Sequence, residues 1–182
     1  GAFIPPGFVE TRGELYTFSQ MFDQAIIRQR LIDFRAWLAA RGYRNTPLYI
    51  TEYGTLFPYP PYTVDAGGPY TWTDELDQPI IEPRTTAFMT NTFNTLLSLT
   101  DASTGYPADN NRLVQRWMWY TLNDQPYNFE TGLGFNGGLF DYRNNVYPGT
   151  ITYFGEVFAD FVRPLMFINH LYLPVIVSNR GM

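Results

Sequence analysis

Cysteine is absent from the 182-residue chain, so neither a disulfide framework nor a thiolate metal site can be built from it. Lysine is absent too. All 12 basic residues are arginines spread along the sequence, and 17 acidic residues leave a net charge of −5. A nucleic-acid surface needs clustered positive charge, and none is legible. The one histidine, His170, has no cysteine to join it in a zinc site of the usual kind, so no metal and no other cofactor is expected. Long apolar runs are missing as well. The stretch 165–177 comes nearest, but Asn169, His170 and Pro174 interrupt it, so no membrane-spanning helix is expected. No Gly-rich phosphate loop and no Ser/His/Asp arrangement appears. A signal-peptide pattern is not legible either. The chain opens on Gly1 rather than Met, so sequence upstream of it is expected.

What the chain has in excess is aromatic residues, 18% of the total, with 14 Tyr, 15 Phe and 4 Trp. Two readings compete. One is a large aromatic core; the other is a site that stacks flat ligands such as sugar rings or bases. The scattered arginines and the negative balance turn the second reading toward a neutral ligand, and sugars fit.

Along the chain, breakers at Pro5, Pro6, Gly7 and Gly13 mark an irregular start. Thr17 with Gln20 matches a helix capping box, and Ile27, Leu31, Phe34 and Leu38 form one apolar stripe, with Asp23, Arg28, Arg30 and Arg35 mostly off it. Gly42 suits the C′ position of that helix. The run 47–51 reads as a buried strand ending at Glu52-Tyr53-Gly54, followed by a Pro/Gly-rich loop over 55–82. A second helix is predicted over 83–99, burying Met89, Phe93, Leu96 and Leu97. A second buried strand is predicted over 113–121, then a loop over 122–147. A third helix is predicted over 150–162, burying Phe154, Val157, Phe158 and Phe161, and stopped by Arg163-Pro164. The tail 165–182 shows no clear period beyond a short strand-like run at 172–177.

Strands alternating with helices predict a parallel α/β sheet with helical crossovers. Two strands alone do not make a stable parallel sheet, because both faces and both edges need cover. Additional polypeptide is therefore expected to complete it. Glu52 is the leading chemical candidate, since active sites of such folds form at the C-terminal ends of parallel strands. The competing reading is a glutamate that caps a loop or pairs with an arginine.

Ile50-Thr51-Glu52-Tyr53-Gly54 resembles the nucleophile segment of clan A retaining glycoside hydrolases, the cellulase- and mannanase-like (β/α)₈ barrels. Arg116-Trp117-Met118-Trp119-Tyr120 looks like their eighth strand, and Gly137-Gly138-Leu139-Phe140-Asp141 like the segment that follows it. The resemblance covers roughly residues 20–162. It implies that residues 1–164 are the C-terminal portion of a TIM barrel, about strands 7–8 with helices 6–8, and that 165–182 are a tail or linker. It implies a retaining O-glycosyl hydrolase acting on a poly- or oligosaccharide by double displacement, with Glu52 as nucleophile and Trp119 as floor of the sugar subsite. An extracellular or secreted location follows from the same family.

The family's acid/base glutamate follows an asparagine, and no Asn-Glu dipeptide occurs here. The missing N-terminal barrel half, in the same protein or another chain, is expected to supply it, and this chain alone is expected to be inactive. Within the chain, Asp124 follows the second strand and is either a second carboxylate near Glu52 or a loop-forming Asp. Asn123 and Gln125 are candidate partners for sugar hydroxyls. Tyr53 and Trp72, with Phe57, Tyr59, Tyr62 and Tyr70, either extend a sugar cleft or pin down their own loop. The alternative to an enzyme is a non-catalytic carbohydrate-binding or structural subunit derived from such a barrel.

Overall fold

The computed structural model describes residues 16–54, 76, 82–128, 131, 133–135, 137–143 and 149–168. Thr17 and Gln20 form the expected capping box: the Thr17 N–H donates to Gln20 Oε1 at 3.0 Å and the Gln20 N–H to Thr17 Oγ1 at 3.4 Å. The helix they start, α1 (Phe18–Met21), is only one turn long. Asp23 then caps the main helix, α2 (Gln24–Ala40), by accepting the Ala25 N–H at 2.7 Å. At the far end Gly42 donates to the Ala39 carbonyl and Tyr43 to the Leu38 carbonyl, the two bonds of a Schellman ending.

The apolar stripe of α2 departs from expectation at one turn. Phe34 is exposed, whereas Arg35 beside it is fully buried. The Arg35 guanidinium donates to the carbonyls of Leu113 (2.5 Å) and Thr46 (2.9 Å) and to Gln115 Oε1 (2.5 Å). Gln115 in turn accepts the Leu48 N–H at 2.7 Å. Periodicity scores arginine as a surface residue. A guanidinium that reaches several fixed acceptors can instead sit inside and tie a helix to the entries of two strands.

Those strands are β1 (Tyr49–Tyr53) and β2 (Arg116–Trp119), paired in parallel, and the chain passes between them through α3 (Glu82–Ser98). Parallel neighbours require such a crossover. Their pairing runs Tyr49 to Arg116 and Ile50 to Trp117, then shifts by one residue so that Tyr53 meets Trp119. One face of the pair carries Ile50, Tyr53, Trp117 and Trp119 into a core built with Met89, Phe93 and Leu96 of α3. The last helix, α4 (Tyr153–Ile168), adds Phe154, Val157, Phe158 and Phe161 to the same core. Phe93 lies at its centre, with ring centroids 5.3 to 6.3 Å from Tyr53, Trp117, Trp119, Phe158 and Phe161. Edge-on aromatic packing of this kind adds about 0.5–1.5 kcal/mol per pair beyond the area buried. Much of the aromatic excess is therefore core.

Two elements differ from the sequence expectation. The loop 122–147 contains β3 (Phe140–Asp141), which pairs antiparallel with β4 (Thr150–Ile151). The following helix therefore starts at Tyr153 rather than 150, with the Thr152 hydroxyl accepting the Gly155 N–H at 3.1 Å. Pro164 does not stop α4, which runs on to Ile168. The ring removes one backbone bond near the end of a helix whose earlier turns are already held by four packed apolar side chains. Among the described residues, no helix is long and apolar enough to cross a membrane.

The chain leaves α3 through a tight polar turn. Asp101 accepts from the Ser103 N–H (2.8 Å), the Ser103 hydroxyl (2.6 Å) and the Thr104 N–H (2.8 Å). These bonds, the Ser103 hydroxyl first, hold its carboxyl down at about 2. An unfolded Asp titrates near 3.9. The contribution of Asp101 to stability is thus complete above that value and disappears as pH falls through about 2. Thermal melts between pH 5 and 2 are expected to show the stability gap between wild type and Asp101→Asn narrowing as pH falls. A gap that stays constant or widens would contradict the turn's role.

Candidate functional site

The C-terminal ends of β1 and β2 lie side by side, and the one-residue register shift decides what they present. Side chains of a regular strand alternate, so Ile50 and residue 52 would share a face. With Ile50 in the core, regular pairing would drive Glu52 into the helix layer. The extra residue between Ile50 and Tyr53 instead sends Tyr53 inward and leaves both Thr51 and Glu52 exposed. This is the effect of a bulge, which turns a side chain without ending the strand. Among the described residues, no hydrogen bond or ion pair engages the Glu52 carboxylate, and no arginine is paired with it.

The same alternation sorts β2. Trp117 and Trp119 face the helices, whereas Arg116, Met118 and Tyr120 are exposed. Trp119 is 8% exposed. Its Nε1–H donates to the Gly137 carbonyl at 2.9 Å, and its ring stacks on Phe154 with Tyr53 edge-on to it. The structure therefore does not bring the Trp119 ring to the face that carries Glu52. Tyr53 likewise lies on the core side, against Phe88 and Trp119. Burial pushes its phenol well above the ordinary value, and the nearby Thr92 hydroxyl, engaged with Gln24, offsets only part of that. Thr92 bonds to Gln24 instead, and among the described residues the buried Tyr53 hydroxyl has no hydrogen-bond partner within bonding geometry.

The residue that does share the face of Glu52 is Tyr120. Its N–H donates to the Tyr53 carbonyl at 2.7 Å, which continues the strand pairing past Glu52. Gly54 lies so close to the Tyr120 carbonyl that any side chain there would collide with it, which gives the glycine after Glu52-Tyr53 a steric reason. The Tyr120 hydroxyl donates to Asp124 Oδ2 at 3.4 Å. The Asp124 charge first, then desolvation, and last the Glu52 carboxylate raise the Tyr120 phenol above its ordinary value. Tyr120 thus lies within electrostatic reach of both Glu52 and Asp124. Asn123 is exposed, on the stretch that bridges to Phe140, and Gln125 donates its N–H to Asp124 Oδ1 at 2.6 Å. Asp141, within the segment 137–141, is held by Arg143 through a 2.5 Å ion pair.

Trp72, Phe57, Tyr59, Tyr62, Tyr70 and His170 lie outside the described residues. Among the described residues, no group of three His, Cys, Asp or Glu side chains is placed to hold a metal. Tyr120 is absent from the sequence-derived set, although a signal for it exists. Once Trp117 and Trp119 are taken as one side of β2, simple alternation gives the other side to Met118 and Tyr120. Comparisons with protein-family models, curated proteins and solved structures return no match for this chain.

Truncating the two neighbouring rings is expected to separate their roles. Trp119→Ala is expected to cost about 3–5 kcal/mol of unfolding free energy, as for a large core side chain. Tyr120→Ala is expected to cost less than about 1 kcal/mol. Urea titration of both variants checks this, and equal losses would contradict the assignment of Trp119 to the core.

Proposed function

We propose that this chain forms the closing portion of a (β/α)₈-barrel retaining glycoside hydrolase, with Glu52 as the nucleophile. The observation that carries the reading is the register shift that turns Glu52 onto the exposed face of a parallel strand pair, beside Tyr120. Helices cover the other face, as they cover the outside of a barrel. Further support comes from Tyr49, Met118 and Tyr120, large apolar side chains left exposed on a parallel pair of a kind that proteins bury on both faces. Further strands, from the N-terminal barrel half in the same protein or another chain, would cover that face and complete the cleft.

In this reading the substrate is a neutral poly- or oligosaccharide met outside the cell. Glu52 attacks the anomeric carbon, and the leaving oxygen takes a proton from a second carboxyl about 5–5.5 Å away. The completing half supplies that acid/base. Tyr120 offers its ring at the position the resemblance gives to Trp119, and Asn123 and Asp124 stand at the rim as partners for sugar hydroxyls. A carboxylate fixed at a strand end has the placement a nucleophile requires.

In the complete protein, Glu52→Gln is expected to lower hydrolysis of an aryl glycoside by roughly three orders of magnitude or more, about 4 kcal/mol of barrier. The urea midpoint is expected to stay unchanged. Hydrolysis at the wild-type rate would rule out the assignment, and a wild type that binds sugar without cleaving it would favour a non-catalytic binding subunit.

A further inference from the structure

Tyr120 is an exposed side chain held at two points. Phe135 stacks on its ring with centroids 5.9 Å apart and planes 25° from parallel. Asp124 receives its hydroxyl at 3.4 Å. Both partners come from the segment that follows β2, and that segment folds back on itself to deliver them. The Asn128 N–H donates to the Leu133 carbonyl at 2.8 Å, and the Phe135 N–H to the Gln125 carbonyl at 3.1 Å. Between them Gly134 has φ +85° and lies close against the carbonyls of Gln125 and Pro126, a place no other residue fits without strain.

An unsupported tyrosine on an open face samples several rotamers, and a ligand that stacks on it must first freeze one. Fixing the ring beforehand removes that cost. From this geometry we infer that Phe135 and Asp124 are positioning residues: they hold the Tyr120 ring beside Glu52, ready to stack on the apolar face of a sugar ring. The inference rests on the glycosidase reading above and adds the device that prepares its sugar subsite. Phe135 acts through Tyr120 and need not touch the ligand.

The test uses the complete protein and two probes, cellohexaose and mannohexaose, with binding followed by calorimetry. Wild type is expected to bind at least one of them, and Tyr120→Ala to lose that binding. Phe135→Ala and Phe135→Leu are both expected to weaken it about three- to tenfold, the equivalent of one aromatic stack. Phe135→Tyr is expected to restore it to within about twofold, because the ring returns. Leucine keeps apolar bulk without a ring, so equal weakening in the Leu and Ala variants separates stacking from a folding defect. Asp124→Ala is expected to weaken binding in the same direction. Wild-type affinity in Phe135→Leu, with Tyr120→Ala impaired, would overturn the positioning role and leave the glycosidase reading standing. A wild type that binds neither hexasaccharide would overturn the positioning role, whereas the glycosidase reading falls only if Glu52→Gln hydrolyses an aryl glycoside at the wild-type rate.

Discussion

A single extra residue between Ile50 and Tyr53 governs which side chains this protein buries and which it presents. On one side of the shift, Ile50 and Trp117 face the helices; on the other, Tyr53 and Trp119 do. The residue left over is what allows Glu52 to stay out of the core. Without it, an ionisable side chain would be forced against Phe93 and its neighbours, where an unpaired charge is costly. The core and the candidate site are thus two consequences of one register.

The aromatic excess divides along the same line. Phe93, Trp117, Trp119, Phe154, Phe158 and Phe161 fill the space between sheet and helices. Tyr49 and Tyr120 stand on the other side, with Arg116 over the Tyr49 ring. Phe34 and Trp37, stacked on each other with Arg41 over the Trp37 ring, form a separate exposed group on α2. Composition reports the total of these and not their partition between a packed core and an exposed face.

Much of the scaffold was legible because its signals are local. The Thr17–Gln20 capping box, the Gly42 ending, the buried face of α3 and the parallel order of two strands about a helix all follow from short-range pattern. The features that stayed hidden are set by long-range geometry. Arg35 is inside because acceptors from residues 46, 113 and 115 converge on it. Phe140 and Thr152 are ordered by bonds to residues far along the chain, which no periodicity announces. At the candidate site, the place of Glu52 near a strand end was legible from the apolar run before it. The exposure of Tyr120 was not, because the resemblance to the eighth barrel strand points to Trp119, while alternation assigns the open face to Tyr120.

A nucleophilic Glu52 would carry the sugar as a glycosyl ester during turnover. Peptide mass spectrometry of the complete protein after treatment with a 2-fluoro aryl glycoside, which slows release of that ester, reads this out. One added fluoroglycosyl group is expected, located on Glu52. An adduct on a different carboxylate, or continued turnover with no adduct on Glu52, would contradict it.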